Sequence, residues 1–309
     1  MSEISIRPLA ESDLGEADRV FRLAFGTQLG LADRMSFRGD AEMVKSRWRT
    51  DREGALAAFR GGELVGSAFS ARWGRFGIFG PISIRPDCWS AGIGKRLLDP
   101  AMALFDQWGI EHVALFTFPH SPKHVALYQK YGFWPQCLTF VMAKTAEKPA
   151  VAVARSLHSQ EPLSFSECAA LTASILPGLE VEREIRAVHD QGLGDTVALR
   201  EGGRLQGLAI CHVGKGSEAG SGSTYVKFAA VRPGADAARL FERLATACEA
   251  FALERNTPKI IAGMNSARHA AYRSLLARGY KAFFQGVAMQ RPNLSGYNTP
   301  DRFVIDDWR

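Results

Sequence analysis

The chain carries a second, degraded copy of its own first half, and this repeat limits the fold more than any single motif does. ALAAFRGGELVGSAFS, from Ala55 to Ser70, lines up with TVALREGGRLQGLAIC, from Thr196 to Cys211, at an offset of 141. Both read as a strand, a tight turn on Gly61-Gly62 or Gly202-Gly203 and a second strand, because Gly-Gly between β-rich runs favours a hairpin. FGPISIRP, ending at Pro86, matches VKFAAVRP, ending at Pro233, at an offset of 147, and each strand is stopped by its proline. Amphipathic helices follow. One shows Leu97, Leu98, Ala101, Leu104, Phe105 and Trp108, the other Leu240, Phe241, Leu244, Cys248 and Phe251. HVALYQKYGF, from His124, then parallels AYRSLLARGY, from Ala271, each a helix closed by a glycine, Gly132 or Gly279.

The openings of the two halves agree in pattern rather than in letters. Ser12 is placed to cap a helix from Leu14 to Phe25 that stops at Gly26. Ser164 and Glu167 have capping-box spacing before Leu171, Ile175 and Leu176, with a stop at Pro177-Gly178. Each half therefore reads strand, helix, helix, hairpin, strand, helix, strand, helix, strand. The expected fold class is α/β (α+β): two domains, residues 1–146 and 147–309, each a mixed, mostly antiparallel twisted sheet flanked by helices. The connector is expected at Lys144 to Gln160, with Val151 to Ala154 as the second unit's first strand. Gly214 to Ser223 reads as a flexible excursion, and Phe303, Ile305 and Trp308 mark a tail able to dock or fray.

Composition narrows the function classes. The 309 residues are 46% hydrophobic and 23% charged, as in ordinary globular domains that need neither disulfides nor metal to hold a core. No run of about 18 apolar residues and no signal-peptide pattern is present, so a cytoplasmic protein without a membrane partner is expected. Five scattered cysteines without a C-x-x-C give no disulfide or thiolate-metal framework. The net charge of +6 is spread over both halves, which suits an anionic small ligand better than nucleic acid.

The densest chemical signal is IRPDCWSAGIGKRLL, from Ile84 to Leu98. A strand, a proline stop and a loop with Gly92-Ile93-Gly94 lead into a helix that begins at Lys95-Arg96. Glycines let backbone N–H groups approach a ligand, and the free amides and dipole of the following helix favour an anion. Arg96 in place of a Ser/Thr hydroxyl excludes a Walker loop, and no third glycine completes a dinucleotide fingerprint. His120 and His124, four residues apart, do not make a zinc site, because Pro122 starts a helix between them and no third ligand joins them.

This loop, the strand HVALFTF and SPKHVALYQKYGFWP resemble the coenzyme-A signature of the GNAT acetyltransferase superfamily, and the repeat makes the whole chain similar to a tandem GNAT protein. The resemblance implies acetyl-CoA as co-substrate, without a metal. It places the pyrophosphate on the backbone of Trp89, Ser90, Ala91, Gly92, Ile93, Gly94, Lys95 and Arg96, and pantetheine beside Ile82 and Ile84. Ser121, Lys123 and Tyr128 complete the expected cofactor contacts. Trp89 stands where the family usually has Gln or Arg. Tyr128 is implied as the acid that protonates the thiolate, and His120 is a candidate proton acceptor. Asp33 and Asp40 could assist, and Arg72, Trp73 and Arg75 could rim the acceptor pocket. The second copy has Ala235, Ala237 and Leu275 where Gly92, Gly94 and Tyr128 stand, so it is expected to be non-catalytic. The implied activity is acetyl transfer to a primary amine of a small molecule. The alternatives are an acyl-CoA sensor and an aminoacyl-transferring relative.

Overall fold

A computed structural model describes residues 3–147 and 163–309, so the expected strand at Val151 to Ala154 and most of the connector lie outside the described residues. In chain order the first half gives β1 (Ile4–Pro8), α1 (Leu14–Gln28), α2 (Val44–Thr50), β2 (Ala55–Arg60), β3 (Glu63–Trp73), β4 (Phe76–Ile84), α3 (Ile93–Gln107), β5 (His112–Thr117), α4 (Pro122–Gln129) and β6 (Trp134–Thr145). The second half gives α5 (Phe165–Ile175), α6 (Glu182–Asp190), β7 (Gly194–Glu201), β8 (Arg204–Gly214), β9 (Gly220–Val231), α7 (Ala237–Glu254), β10 (Lys259–Asn265), α8 (His269–Ala277), β11 (Lys281–Arg291) and β12 (Val304–Ile305). Among the described residues the order follows the expected repeat from α5 to β11 in the second half and throughout the first, with β12 as an unexpected addition. Both Gly-Gly turns adopt positive φ at both residues, as a two-residue hairpin requires.

Alternation along β2 sorts the side chains onto two faces. Ala55 and Ala57 pack under α1 and α2, with Phe21, Val44 and Trp48. Leu56 and Ala58 pack on the other face under α3, with Leu97, Leu98 and Phe105. The second half repeats the arrangement. Ala198 and Ile210 face α5 and α6, while Val197 and Ala209 face α7 and α8.

All strands join one mixed, mostly antiparallel sheet of order β1-β2-β3-β4-β5-β11-β6-β10-β9-β8-β7. The two halves exchange their last long strands. β11 pairs antiparallel with β5 (Ala288 opposite Phe116), and β6 pairs antiparallel with β10 (Met142 opposite Ala262). β11 and β6 pair with each other in the middle.

Several local expectations are corrected. Ser12 does not cap α1: Asp13 accepts the Ala10 N–H at 2.8 Å within a short 3-10 turn that leads into the helix. α1 runs past Gly26 to Gln28, and Gly26 instead lets the Arg34 carbonyl come so close that a Cβ would sit 2.0 Å from it. The Ser164 hydroxyl turns to Ser166 and makes no cap bond, and the Glu167 carboxylate accepts from Arg200, so the expected capping box is replaced by an ion pair. Gly214 to Ser223 is not a loose excursion: it carries Glu218, 1% exposed, into the centre of the molecule. The tail docks, with Phe303, Ile305 and Trp308 all buried.

Candidate active site: a split sheet crossed by an aromatic cavity

β4 and β5 run parallel and are paired only from Phe76–His112 to Ile78–Ala114. Beyond that point β4 gains an extra residue against β3, a bulge at Gly80 with φ 138°, which bends it away. The main-chain groups on the parted edges then have no strand partner. The opening is a cavity of about 260 Å³ that passes from Tyr128 on the α3/α4 face to Phe21, Phe25 and Phe37 on the α1 face.

On the α3 side the loop after β4 is held by side chains. Arg85 bonds Asp87 and Glu63, and the Trp89 indole donates to the Ile84 carbonyl at 2.7 Å. That bond makes Trp89 a brace for the loop. Ser90 and Gly92 take positive φ (66° and 76°), which turns the chain into α3. The amides of Gly92, Ile93, Gly94 and Lys95 find no acceptor among the described residues, while Arg96 N–H returns to the Gly92 carbonyl at 3.3 Å. Free amides at a helix N-terminus are groups that can hold an anion. Gly94 lies against Ile84 and Leu127. Lys123 donates to the Ser90 hydroxyl at 3.0 Å and so places a cation over the loop. The side chains of Lys95 and Arg96 are exposed. Ser121 is the N-cap of α4 and Pro122 its first residue, but the Ser121 side chain makes no cap bond.

Tyr128 is buried at the floor of the split, and Thr117 on β5 lines the same cavity. Burial pushes the phenol well above its ordinary range and the neighbouring Thr117 only partly offsets this, so it stays protonated at neutral pH. His120 is exposed and is not part of the cavity wall. The histidine that lines the cavity is His124, one turn before Tyr128 on α4, whose buried Nδ1 has no partner. Burial, with the nearby charge of Lys123, pushes its pKa below the usual histidine value. The spacing of His124 and Tyr128 was visible in the sequence as soon as Pro122 fixed the helix start.

The other acceptor-side expectations do not hold. Trp73 is buried and donates to Glu184 of α6 at 3.0 Å. Arg72 pairs with Asp51 and Glu53, Arg75 with Glu111. Asp33 caps a short turn through Met35 N–H, and Asp40 accepts from the backbone and hydroxyl of Ser221. Of these, the Trp73 and Asp40 bonds tie the two halves together. The wall opposite Tyr128 is built instead by Phe283 and Phe284 of β11 and by Trp308 and Arg309 of the tail. Behind it lies a buried ionic cluster. Glu218 bonds Arg47 and Lys227, Lys227 reaches Glu184, and Arg47 also bonds the main-chain oxygen of Arg309. Burial opposes the charge on Glu218, yet the two cations outweigh it and hold the carboxyl well below its usual range.

The second half treats the same features differently. β9 and β10 pair from Ser223–Lys259 to Val226–Ala262 and then part. β12 fills that gap: Val304 and Ile305 pair with Ala230 and Ala229, and Asp306 N–H bonds the Gly263 carbonyl at 3.1 Å. Arg268, fully buried, locks the plug through the Val304 carbonyl and the Asp306 carboxylate. The loop from β9 to α7 spans only 232–236, and Leu275 occupies the position of Tyr128 as a core residue.

Residues 27–133 match the model of the acetyltransferase (GNAT) family, so this part of the chain is a GNAT domain. That assignment supports acetyl transfer from an acyl-CoA as the general activity. No curated protein sequence matches the chain significantly. Among solved structures, a candidate acetyltransferase from Pyrococcus horikoshii is similar over 99% of this chain and 95% of its own, with TM-score 0.70 and 16% identity. A GCN5-related N-acetyltransferase from Sphaerobacter thermophilus aligns over 93% and 95%, with TM-score 0.57 and 16% identity. A glucosamine N-acetyltransferase region of a fungal multi-domain β-N-acetylglucosaminidase aligns over 94% of this chain and 38% of that one, with TM-score 0.61 and 14% identity. At these identities the likeness is one of fold. No helix among the described residues is long and apolar enough to cross a membrane.

Proposed function

We propose that the chain is an acetyl-CoA-dependent N-acetyltransferase acting on a primary amine of a small molecule, with one working site. The observation that carries this reading is that the parted edges of β4 and β5 and the Tyr128 phenol line one cavity, while the loop that leaves β4 leads to the free amides of Gly92 to Lys95 at the start of α3. The free amides of Gly92 to Lys95 bind the diphosphate, with Lys123 above them. Pantetheine lies along the β4 edge at Ile82 and Ile84, where it supplies the main-chain pairing that β5 no longer gives. Unpaired N–H groups there polarise the thioester carbonyl.

His124 replaces His120 as proton acceptor in this reading. Its neutral imidazole takes a proton from the incoming ammonium, the amine nitrogen forms a bond to the thioester carbon, the carbon–sulfur bond breaks, Tyr128 gives its proton to the leaving sulfur, and the second proton shed by the new amide nitrogen restores the phenol. No covalent intermediate on the protein is required. We assign residues 147–309 to a non-catalytic domain, because β12 fills the gap that an acyl-CoA would need. Coenzyme-A release measured across a panel of amines tests the activity. Amine-stimulated release supports it, and saturable acetyl-CoA binding without such release would favour a sensor.

A further inference from the structure

The acceptor half of the cavity is aromatic but not neutral. Phe21, Phe25, Phe37 and Trp308 form its walls, and two guanidinium groups, Arg38 and Arg309, also line it. Arg38 spends one nitrogen on the Glu218 carbonyl at 2.6 Å, and its Nε has no partner. Arg309 lies against Asp307 and over the Tyr225 ring, and its Nη2 has no partner. Of the nearby carboxylates, Glu218 is held by Arg47 and Lys227, while Asp307 pairs with the Arg309 Nε at 2.9 Å and accepts from the Tyr225 hydroxyl at 2.9 Å, leaving the Arg309 Nη2 free. Burial, and then the charge of Arg309, push Arg38 down to about 10. Two like charges with free donors in an apolar cavity are stabilised by an anion between them. That anion is not the diphosphate, whose cradle lies on α3 across the sheet from the α1 face.

Resting on the acetyltransferase reading above, we infer that the acceptor is a free amino acid with a large apolar side chain, its carboxylate held between Arg38 and Arg309 and its side chain against the phenylalanines. The cavity volume of about 260 Å³ suits one such molecule beside the end of a thioester arm. The amine then points from the carboxylate toward His124 and Tyr128, and its acetylation consumes one thioester and yields an amide and a free thiol.

The test uses the full chain with coenzyme A bound. Calorimetry compares L-phenylalanine, phenethylamine, which lacks the carboxylate, and glycine, which lacks the side chain. Phenylalanine is expected to bind about 10-fold or more tighter than either. In Arg38→Gln the phenylalanine-to-phenethylamine affinity ratio should fall about 10-fold, and Arg38→Lys should restore part of it. Arg309→Gln serves the same purpose should the first variant not fold. Phenethylamine binding as well as phenylalanine, or a ratio unchanged in the variants, overturns the inference. Coenzyme-A release separates the two claims: release only with amines lacking a carboxylate rejects the amino-acid acceptor but keeps the acetyltransferase, whereas selective phenylalanine binding without release by any amine does the reverse.

Discussion

Tyr128 and Thr117 line the same cavity just beyond the point where β5 leaves β4, so the phenol at the floor of the cleft and the strand that forms one of its walls face one space. Thr117 supplies no base for the phenol's proton. Tyr128→Phe is expected to lower turnover by about 10-fold or more while the calorimetric affinity for acetyl-CoA is retained. Unchanged turnover would remove the phenol from the chemistry.

Gly92 combines a φ of 76° with open space at its Cβ position, so substitution there costs backbone strain rather than a clash. Gly92→Val should cost roughly 1–2 kcal/mol in that conformation and misalign the amides of the helix start. Binding of coenzyme A should weaken, and binding of a truncated pantetheine thioester much less. Equal losses for the two ligands would argue against a phosphate contact at this turn.

The histidines of α4 and the turn before it make opposite predictions. His124→Gln should lower kcat/KM by about 100-fold, whereas His120→Gln should stay close to wild type. Because burial lowers the pKa of His124, the acidic limb of the wild-type kcat/KM profile should lie below about 6.5, the ordinary histidine value. A limb that persists in His124→Gln would assign it to another group.

His212 is buried beside Lys227, and burial first, then that charge, push its pKa down to about 4. The unfolded chain protonates near pH 6.5 and the folded chain does not, so stability falls as pH drops from about 6.5 to about 4 and stays lower below it. The shift corresponds to roughly 3 kcal/mol. Urea unfolding of His212→Gln should show a flatter dependence across that window than the wild type does.

Gly263 leaves room for the tail: a Cβ there would sit 2.3 Å from the Asp307 Cβ. Gly263→Ala should therefore displace residues 306–309. The KM for the amine should rise while the affinity for acetyl-CoA holds, and a change confined to acetyl-CoA would contradict the assignment of the tail to the acceptor side. Calorimetry on the wild type should count one acetyl-CoA per chain.

Much of this was legible from the repeat, because hairpin glycines, proline stops and helical periodicity are local signals, and the elements they mark stand where expected. The cradle was legible for the same reason: Gly92 and Gly94 sit between a strand end and a helix start. Strand partners are not local. Nothing in the letters of β6 or β11 says that Met142 faces Ala262 or that Ala288 faces Phe116. Trp73 reads as part of a basic turn until Glu184 supplies its acceptor, and Glu218 hides in a Gly/Ser-rich stretch whose flexibility is overruled by two cations. The tail ambiguity turned on Arg268, a charged residue that no pattern marks as the lock for Asp306.

The interleaving of β6 and β11 has a consequence for biosynthesis. β5 lacks its second neighbour until residues 281–291 have been made, and β6 waits for residues 259–265 and then 281–291 to supply its own two. Such distant pairings carry a high loop-closure cost and slow the final step of folding. A nascent chain halted after the first half would bare two sticky edges, one on β5 and one on β6. Neither half is thus a self-sufficient module to be excised, shuffled or evolved apart from its twin.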